Sequence, residues 1–370
     1  MVYSELTYKI ALSLLKSVTI GDARELISRF GSIEAIFSAD YRGIVSALGS
    51  TSVIDRNKLD EALAKAVDEE QWVKNNGVRA LFFEDEDYPH RLIDCADAPL
   101  MLYALGDANL NASRIISIVG TRHATNYGLA FVNQFVADIS KTIDDVLIVS
   151  GLAYGIDVSA HKESLKVDIP TVGIVAHGLS TLYPAAHRDI AARMVKEGGA
   201  LLTEYTHATS VSKGFFLARN RIVAGICDAL VVVETAEKGG SLVTARLASD
   251  YGKPVFALPG RTSDVYSKGC NRLIYNNSAT LITSAYDLVK AMMWSTKKTE
   301  GCQQSVFIEL SPSQQTIYDY LVNQGEATLN NMSENLDLPI SQLMQDLGDM
   351  EFDEIVMPLP GNKYRINKTL

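Results

Sequence analysis

From about Leu6 to Val73 apolar residues recur at helical spacing. Tyr8, Leu12 and Leu15 form one series, Gly21 and Gly31 punctuate it, and Leu59 to Val73 repeats apolar positions at i, i+4 and i+7. The pattern predicts a small helical domain over 1–75, of the SAM or helix-hairpin-helix kind. The stretch 18–32, VTIGDARELISRFGS, has one glycine where a helix-hairpin-helix turn wants two, so a structural role is expected for it. From about Arg114 the rhythm changes to apolar runs of strand length, each followed by a Gly-rich turn and a helical pattern. Ile115–Val119, Val146–Val149, Thr171–Ala176, Ala200–Thr203, Ala229–Val233, Val255–Leu258 and Thr280–Ile282 are rich in β-branched residues and almost continuously apolar. Strands buried on both faces read this way. Strand, turn and helix in repeated alternation predict an α/β fold, a doubly wound Rossmann-like parallel sheet over 76–294, with an extension at 76–110.

Residues 295–305, STKKTEGCQQS, are polar and aperiodic, which marks a linker. Beyond it, over 306–370, Ser311-Pro312-Ser313 is placed to start a helix with Ile317, Tyr320 and Leu321 on its apolar face. Leu329 to Leu347 supplies two more helical patterns, and Ile355–Pro358 and Lys363–Ile366 flank Pro360-Gly361-Asn362 like a hairpin. Three helices and a β-wing predict a C-terminal winged-helix domain.

Charge narrows the function. The chain carries a formal net charge of −10, but residues 1–110 hold 11 Lys/Arg against 18 Asp/Glu, residues 111–296 hold 18 against 15, and residues 297–370 hold 5 against 11. The net charges are −7, +3 and −6, so a polyanion belongs on the middle region and the acidic flanks discourage it elsewhere. The acidic tail favours a protein-contact or structural role over DNA reading. Cys95, Cys227, Cys270 and Cys302 form no CxxC pair or zinc spacing, so no metal or disulfide framework is expected. With no apolar run of membrane-spanning or signal-peptide length, a soluble, cytoplasmic protein is expected.

The most informative stretch is Phe-Leu-Ala-Arg-Asn-Arg at 216–221, with Lys213 three residues before the ring and no Asp or Glu from Thr206 to Cys227, so the three cations are expected to lack local partners. Phe216 offers a stacking face, and Lys213, Arg219 and Arg221, flanking Asn220, offer cations for a backbone. That combination binds single-stranded nucleic acid. The same residues also fit a core ring at a helix start followed by two solvated arginines. Other chemistry gathers after the strands, where an open parallel sheet binds ligands. Gly120-Thr121-Arg122 can present amides and a guanidinium to a phosphate, and so can the amides of Gly239-Gly240-Ser241 at a helix start. The spacing is not GxGxxG, and Ser150-Gly151 stands where a ribose-binding acid would follow, so no nicotinamide dinucleotide is expected. Asp157 and His161 lie four apart in SGLAYGID-VSAH and read as a helix cap and its neighbour. No GxSxG elbow or P-loop is present. The pattern favours binding without a catalytic residue or cofactor.

VGTR at 119–122, SGLAYGID with AH at 150–161, YP at 183–184, FLARNRIVAG at 216–225, GGSLVTA at 239–245 and LPG with SKGCNRLI at 258–274 resemble, in order and spacing, the DNA-processing protein A family (DprA/Smf). The resemblance covers nearly the whole chain. It implies a non-enzymatic protein of natural transformation that binds single-stranded DNA in the Rossmann-like pocket, forms a homodimer and helps load RecA recombinase. Its DNA-binding residues would be Arg122, Lys213, Phe216, Arg219, Arg221 and the Gly239-Gly240-Ser241 amides. Tyr154 stands where the family has an arginine, His187 where an asparagine is common, and Leu217 where a proline often precedes RNR. The competing reading is a nucleotide-processing enzyme, phosphoribohydrolase-like. That motif, PGGxGTxxE, meets EKGGSLVTA here, with no acid following.

Overall fold

The computed structural model describes residues 3–15, 18–48, 55–297, 310–353 and 355–367. The chain divides into two compact units, Met1–Lys297 and Lys298–Leu370.

The first unit opens with α1 (Glu5–Leu14), α2 (Ile20–Phe30), α3 (Ile33–Ser38), α4 (Tyr41–Leu48) and α5 (Arg56–Asn75). The stretch 18–32 is a single helix between two stops. Thr19 and Asp22 form a capping box at its start, and Gly31, at φ 85°, closes it in the left-handed conformation. These helices share one hydrophobic cluster with the sheet, where Ile10, Leu12, Leu59 and Ala66 join Leu102, Ala104 and Leu202.

Among the described residues the first unit holds a nine-stranded sheet. Its strands are β1 (Val78–Phe82), β2 (Met101–Gly106), β3 (Arg114–Gly120), β4 (Val146–Ser150), β5 (Thr171–Ile174), β6 (Ala200–Thr203), β7 (Ala229–Val233), β8 (Val255–Ala257) and β9 (Thr280–Leu281). They lie in the order β1-β2-β6-β5-β4-β3-β7-β8-β9. From β6 to β9 the pairing is parallel throughout, and β1 and β2 add an antiparallel edge. The helices of this region are α6 (His90–Ile93), α7 (Asn126–Thr142), α8 (Ile156–Lys166), α9 (Arg188–Lys196), α10 (Lys213–Gly225), α11 (Gly240–Asp250), α12 (Lys268–Tyr275) and α13 (Ala285–Ala291). Alternate residues of β3 face opposite layers. Ile115 and Val119 pack with Ile222, Val223 and Ala245 of α10 and α11, and Ile116 and Ile118 pack with Val132, Ile156 and Leu288 of α7, α8 and α13. The mixed α/β, doubly wound architecture is as expected. The antiparallel strands within 76–110 are new, since the sequence marks that stretch only as an extension.

The second unit contains α14 (Pro312–Gln324), β10 (Glu326–Thr328), α15 (Leu329–Leu336), α16 (Ile340–Phe352), β11 (Val356–Leu359) and β12 (Lys363–Ile366). Ser311 caps α14 through a capping box with Gln314, and Pro312 occupies its first turn. The expected hairpin is present, and β10 joins it in a sheet ordered β10-β12-β11. Ile317, Leu321, Leu343 and Leu347 form its core. The linker expected at 295–305 lies outside the described residues from 298 onward.

Candidate nucleic-acid interface

Chain order reverses at β3. From it the chain steps through β4, β5 and β6 on one side, then returns to place β7 on the other, with Gly120 opposite Val233. Ligands bind in the crevice that such a switch point opens beyond the carboxyl ends of the strands. A cavity of about 450 Å³ occupies this position. Gly120, Thr121, Arg122, Phe216, Arg219, Asn220, Gly239, Gly240 and Ser241 all line it, so nine residues far apart in sequence converge on one space. Lys213 and Arg221 do not line it.

The turn after β3 is held from both sides. Thr121 N–H donates to the Glu234 carbonyl (2.7 Å) and its carbonyl accepts from Ile156 N–H (3.2 Å). The second contact requires Gly155, which sits at φ 76°; a Cβ there would collide with the Thr121 carbonyl oxygen. Arg122 is left exposed, without a salt bridge to a described residue. Its guanidinium carbon lies 5.5 Å from the centre of the half-buried Phe216 ring, within cation–π range. Gly239, in the lining of the same cavity, caps α11 without a side-chain hydrogen bond, which leaves the first-turn amides of that helix available to an anion. Ser241 Oγ donates to Thr235 Oγ1 (2.7 Å) and fixes the loop from β7.

The arginines of α10 separate. An α-helix advances about 100° per residue, so positions 219 and 221 point to nearly opposite sides. Arg219 is 4% exposed, and its Nη1 donates to the carbonyls of Gly151 (2.6 Å) and Ile174. It ties α10 to the ends of β4 and β5 and presents only part of its guanidinium to the cavity. Gly151 makes room, since a Cβ there would strike Nη1. Burial pushes the Arg219 pKa down and the nearby Asp157 opposes this, while burial pushes the Asp157 carboxyl up against the pull of Arg219. Arg221 turns away to pair with Glu204 beside a second, smaller cavity. The expectation that the cations of 213–221 lack local partners is therefore corrected. Glu204 lies just upstream of the acid-free window and reaches Arg221 in space, while Arg219 is satisfied by backbone carbonyls. Lys213, the first residue of α10, is exposed and has no salt bridge among the described residues.

Asp157 is not the helix cap expected: Gly155 holds the N-cap position of α8 without a side-chain bond, and Asp157, inside the first turn, accepts from Ala153 N–H (3.4 Å) in the preceding loop. His161 faces Thr171 Oγ1 through Nδ1 (2.7 Å), and burial pushes its pKa down to about 3. Glu234, 4% exposed, accepts from Thr125 N–H (2.9 Å) and from its hydroxyl. No group of acids, histidines and cysteines with metal-binding proximity occurs among the described residues, and none of their helices is long and apolar enough to cross a membrane. Cys95, Cys227 and Cys270 are buried free thiols, and Cys302 lies outside the described residues.

Two aromatic contacts at the cavity have no signature in the sequence. His123 stacks on Tyr266 at 6.1 Å, and Tyr183 approaches Phe216 at 5.7 Å. Each pair joins separate loops, so no spacing in the chain announces it.

The family model of DNA recombination-mediator protein A matches residues 79–293, more than half of the chain. The chain belongs to this family. The DNA processing protein DprA of Bacillus subtilis is 37% identical over 220 residues, which cover 59% of this chain and 73% of the relative. The crystal structure of DprA from Streptococcus pneumoniae superposes with a TM-score of 0.65 at 27% identity, covering 78% of this chain and 98% of that one. DNA processing protein A from Helicobacter pylori, whose structure concerns its single-stranded DNA binding mode, gives a TM-score of 0.52 at 29% identity and covers 58% of this chain and 95% of that one. The matched DprA segment contains both walls of the cavity, from Gly120 to Ser241.

Proposed function

We propose that the crevice binds single-stranded DNA and that this DprA-family protein serves as a non-catalytic recombination mediator, holding incoming DNA and passing it to RecA recombinase. The observation that carries the reading is Arg122 set against the face of Phe216 at a cavity that an open helix N-terminus also lines. A base stacks on the ring, its phosphate meets the guanidinium, and the next phosphate meets the amides of Gly240 and Ser241. Lys213, one turn before Phe216, extends the cationic path, and Asn220 supplies an amide inside the cavity. Arg219 and Arg221 act behind this surface. Arg219 fixes α10 on the sheet and adds positive potential, and Arg221 anchors the far side of the helix.

The positive middle region and the single-stranded DNA binding of the Helicobacter pylori relative support this reading. The crevice acids support binding over turnover, because Glu234 is engaged by Thr125 and Asp157 is buried against Arg219. Homodimerisation follows from the family resemblance and belongs to the same proposal.

Photo-crosslinking with an oligonucleotide carrying 5-iododeoxyuridine tests the site. The account expects the crosslink on the peptide containing Phe216; crosslinks confined to the second unit would contradict it. Accelerated RecA filament formation on strands covered by single-strand-binding protein tests the mediator role. Release of free base from nucleoside monophosphates would favour the nucleotide-processing alternative.

A further inference from the structure

The aromatic surface does not stop at the cavity. Phe216 meets Tyr183 at 5.7 Å with the rings inclined by 59°, and Tyr183 is 45% exposed. The segment that begins at Tyr183 runs through the short 3-10 turn Ala185–His187, and there His187 backs the ring of Tyr154 at 4.8 Å. Tyr154 is 47% exposed and follows Ala153, a wall residue of the cavity. Phe216 lines the cavity, Tyr183 meets its ring, and Tyr154 packs on His187 of the segment that Tyr183 begins; these three rings make up an aromatic rim.

Buried imidazoles hold both tyrosines of this rim. His177, 1% exposed, faces the Gly178 carbonyl through Nδ1 (2.9 Å) and accepts the Tyr183 N–H at Nε2 (3.1 Å). That pairing defines a neutral ring with its proton on Nδ1. His187, 5% exposed, faces the Leu152 carbonyl through Nδ1 (2.9 Å), so its ring plane against Tyr154 is fixed. The two tyrosines are therefore presented to solvent from supported positions. Rigid, amphipathic rings of this kind supply contact area at low entropic cost. Lys213 and Arg188 flank the rim in sequence, and neither has a salt bridge among the described residues.

We propose that Tyr183 is a second base-stacking subsite that takes the base next to the one on Phe216, with Tyr154 continuing the platform. This rests on the single-stranded DNA reading of the crevice. Tyr154 presents a half-exposed π-face and no cation, so the strand is held there by stacking. Affinity through the rim is then less sensitive to salt than affinity through Arg122.

The test uses oligo-dT of about 4 and about 12 nucleotides, both within the range of single-strand site sizes and both longer than two adjacent bases. Tyr183→Leu keeps an apolar side chain against Phe216 and removes the stacking face, and Tyr183→Phe keeps the face. The expected result is a loss of roughly ten-fold for both strands in Tyr183→Leu, since each spans two adjacent bases, with an unchanged salt slope. Tyr183→Phe binds both as the wild type does, and Phe216→Leu weakens both lengths. If Tyr183→Leu binds the longer strand normally while Phe216→Leu does not, the second subsite is wrong and the crevice reading stands. If the wild-type protein binds neither strand, both fall. A measurement on the unaltered protein is independent of how any variant folds. With 2-aminopurine moved along the longer strand, fluorescence should be quenched at two or more adjacent positions, and quenching at a single position overturns the proposal.

Discussion

The guanidinium of Arg122 faces the ring of Phe216 at 5.5 Å, although one residue lies in the turn after β3 and the other in the first turns of α10. One is a charge and the other a π-face, so their removal should leave different signatures. Arg122→Ala should weaken single-strand binding and reduce the slope of log affinity against log salt by roughly 0.7, the value for one phosphate contact on a single strand. Phe216→Ala should cost roughly 1–3 kcal/mol of binding with the slope unchanged. Titrations at several salt concentrations separate the two.

Arg219 is a different kind of arginine. Replacing it with alanine removes the donors to the Gly151 and Ile174 carbonyls and leaves Asp157 buried without its neighbouring charge. The expected cost is about 3 kcal/mol of folding stability, in the range for stripping one partner from a buried charged group. Urea denaturation reads it directly, and because Arg219 adds positive potential at the cavity, single-strand affinity of the folded protein should fall as well.

Arg221 reverses that pattern of expectation at the DNA site. Its partner is Glu204 and it does not line the crevice cavity. Arg221→Ala should therefore leave single-strand affinity within about two-fold of wild type while lowering stability by roughly 1–3 kcal/mol, since Glu204 loses its partner. Anisotropy and thermal melting on the same sample test both halves.

Why the sequence assigned these two arginines together, and the structure separates them, is a matter of helical phase. The acid-free window from Thr206 to Cys227 reports neighbours in the chain, whereas Arg221 finds an acid seventeen positions upstream at the end of β6. The parallel strands were legible because burial on both faces forces uninterrupted apolar runs, as in Ala229–Val233. Strands β1 and β2 pair antiparallel at an edge, where VRALF and MLYALG give no such repeat with a following helix. Gly120, Phe216 and Gly240 were legible as one site because the switch-point rule brings strand ends together. Tyr183 and Tyr266 were not, since only the three-dimensional course of their loops brings them to the cavity.

Gly155 should tolerate no side chain. At φ 76°, with the Thr121 carbonyl in the place of a Cβ, Gly155→Ala is both strained and obstructed. A stability loss above about 1 kcal/mol is expected. DNA affinity should fall with it, because the displaced turn is the one that carries Arg122.

Asp145 gives a pH signature. Ser113 donates to its carboxylate from both N–H (2.7 Å) and hydroxyl, and these bonds hold the carboxyl below its ordinary value. A depressed folded pKa stabilises above the unfolded value of about 3.9 and loses that contribution as pH falls through the folded value. Asp145→Asn should thus cost stability at neutral pH and progressively less below about pH 4. The group is exposed, so solvent screening keeps the difference under about 1 kcal/mol.

The most direct test of the central claim is a titration of the purified protein into a fluorescent oligo-dT of about 20 nucleotides and into its duplex, at two salt concentrations, followed by anisotropy. The account predicts tight, salt-sensitive binding to the single strand, much weaker binding to the duplex, and loss of the single-strand signal in the Arg122→Ala, Phe216→Ala double variant. Equal affinity for both forms, or undiminished binding by the double variant, would contradict it.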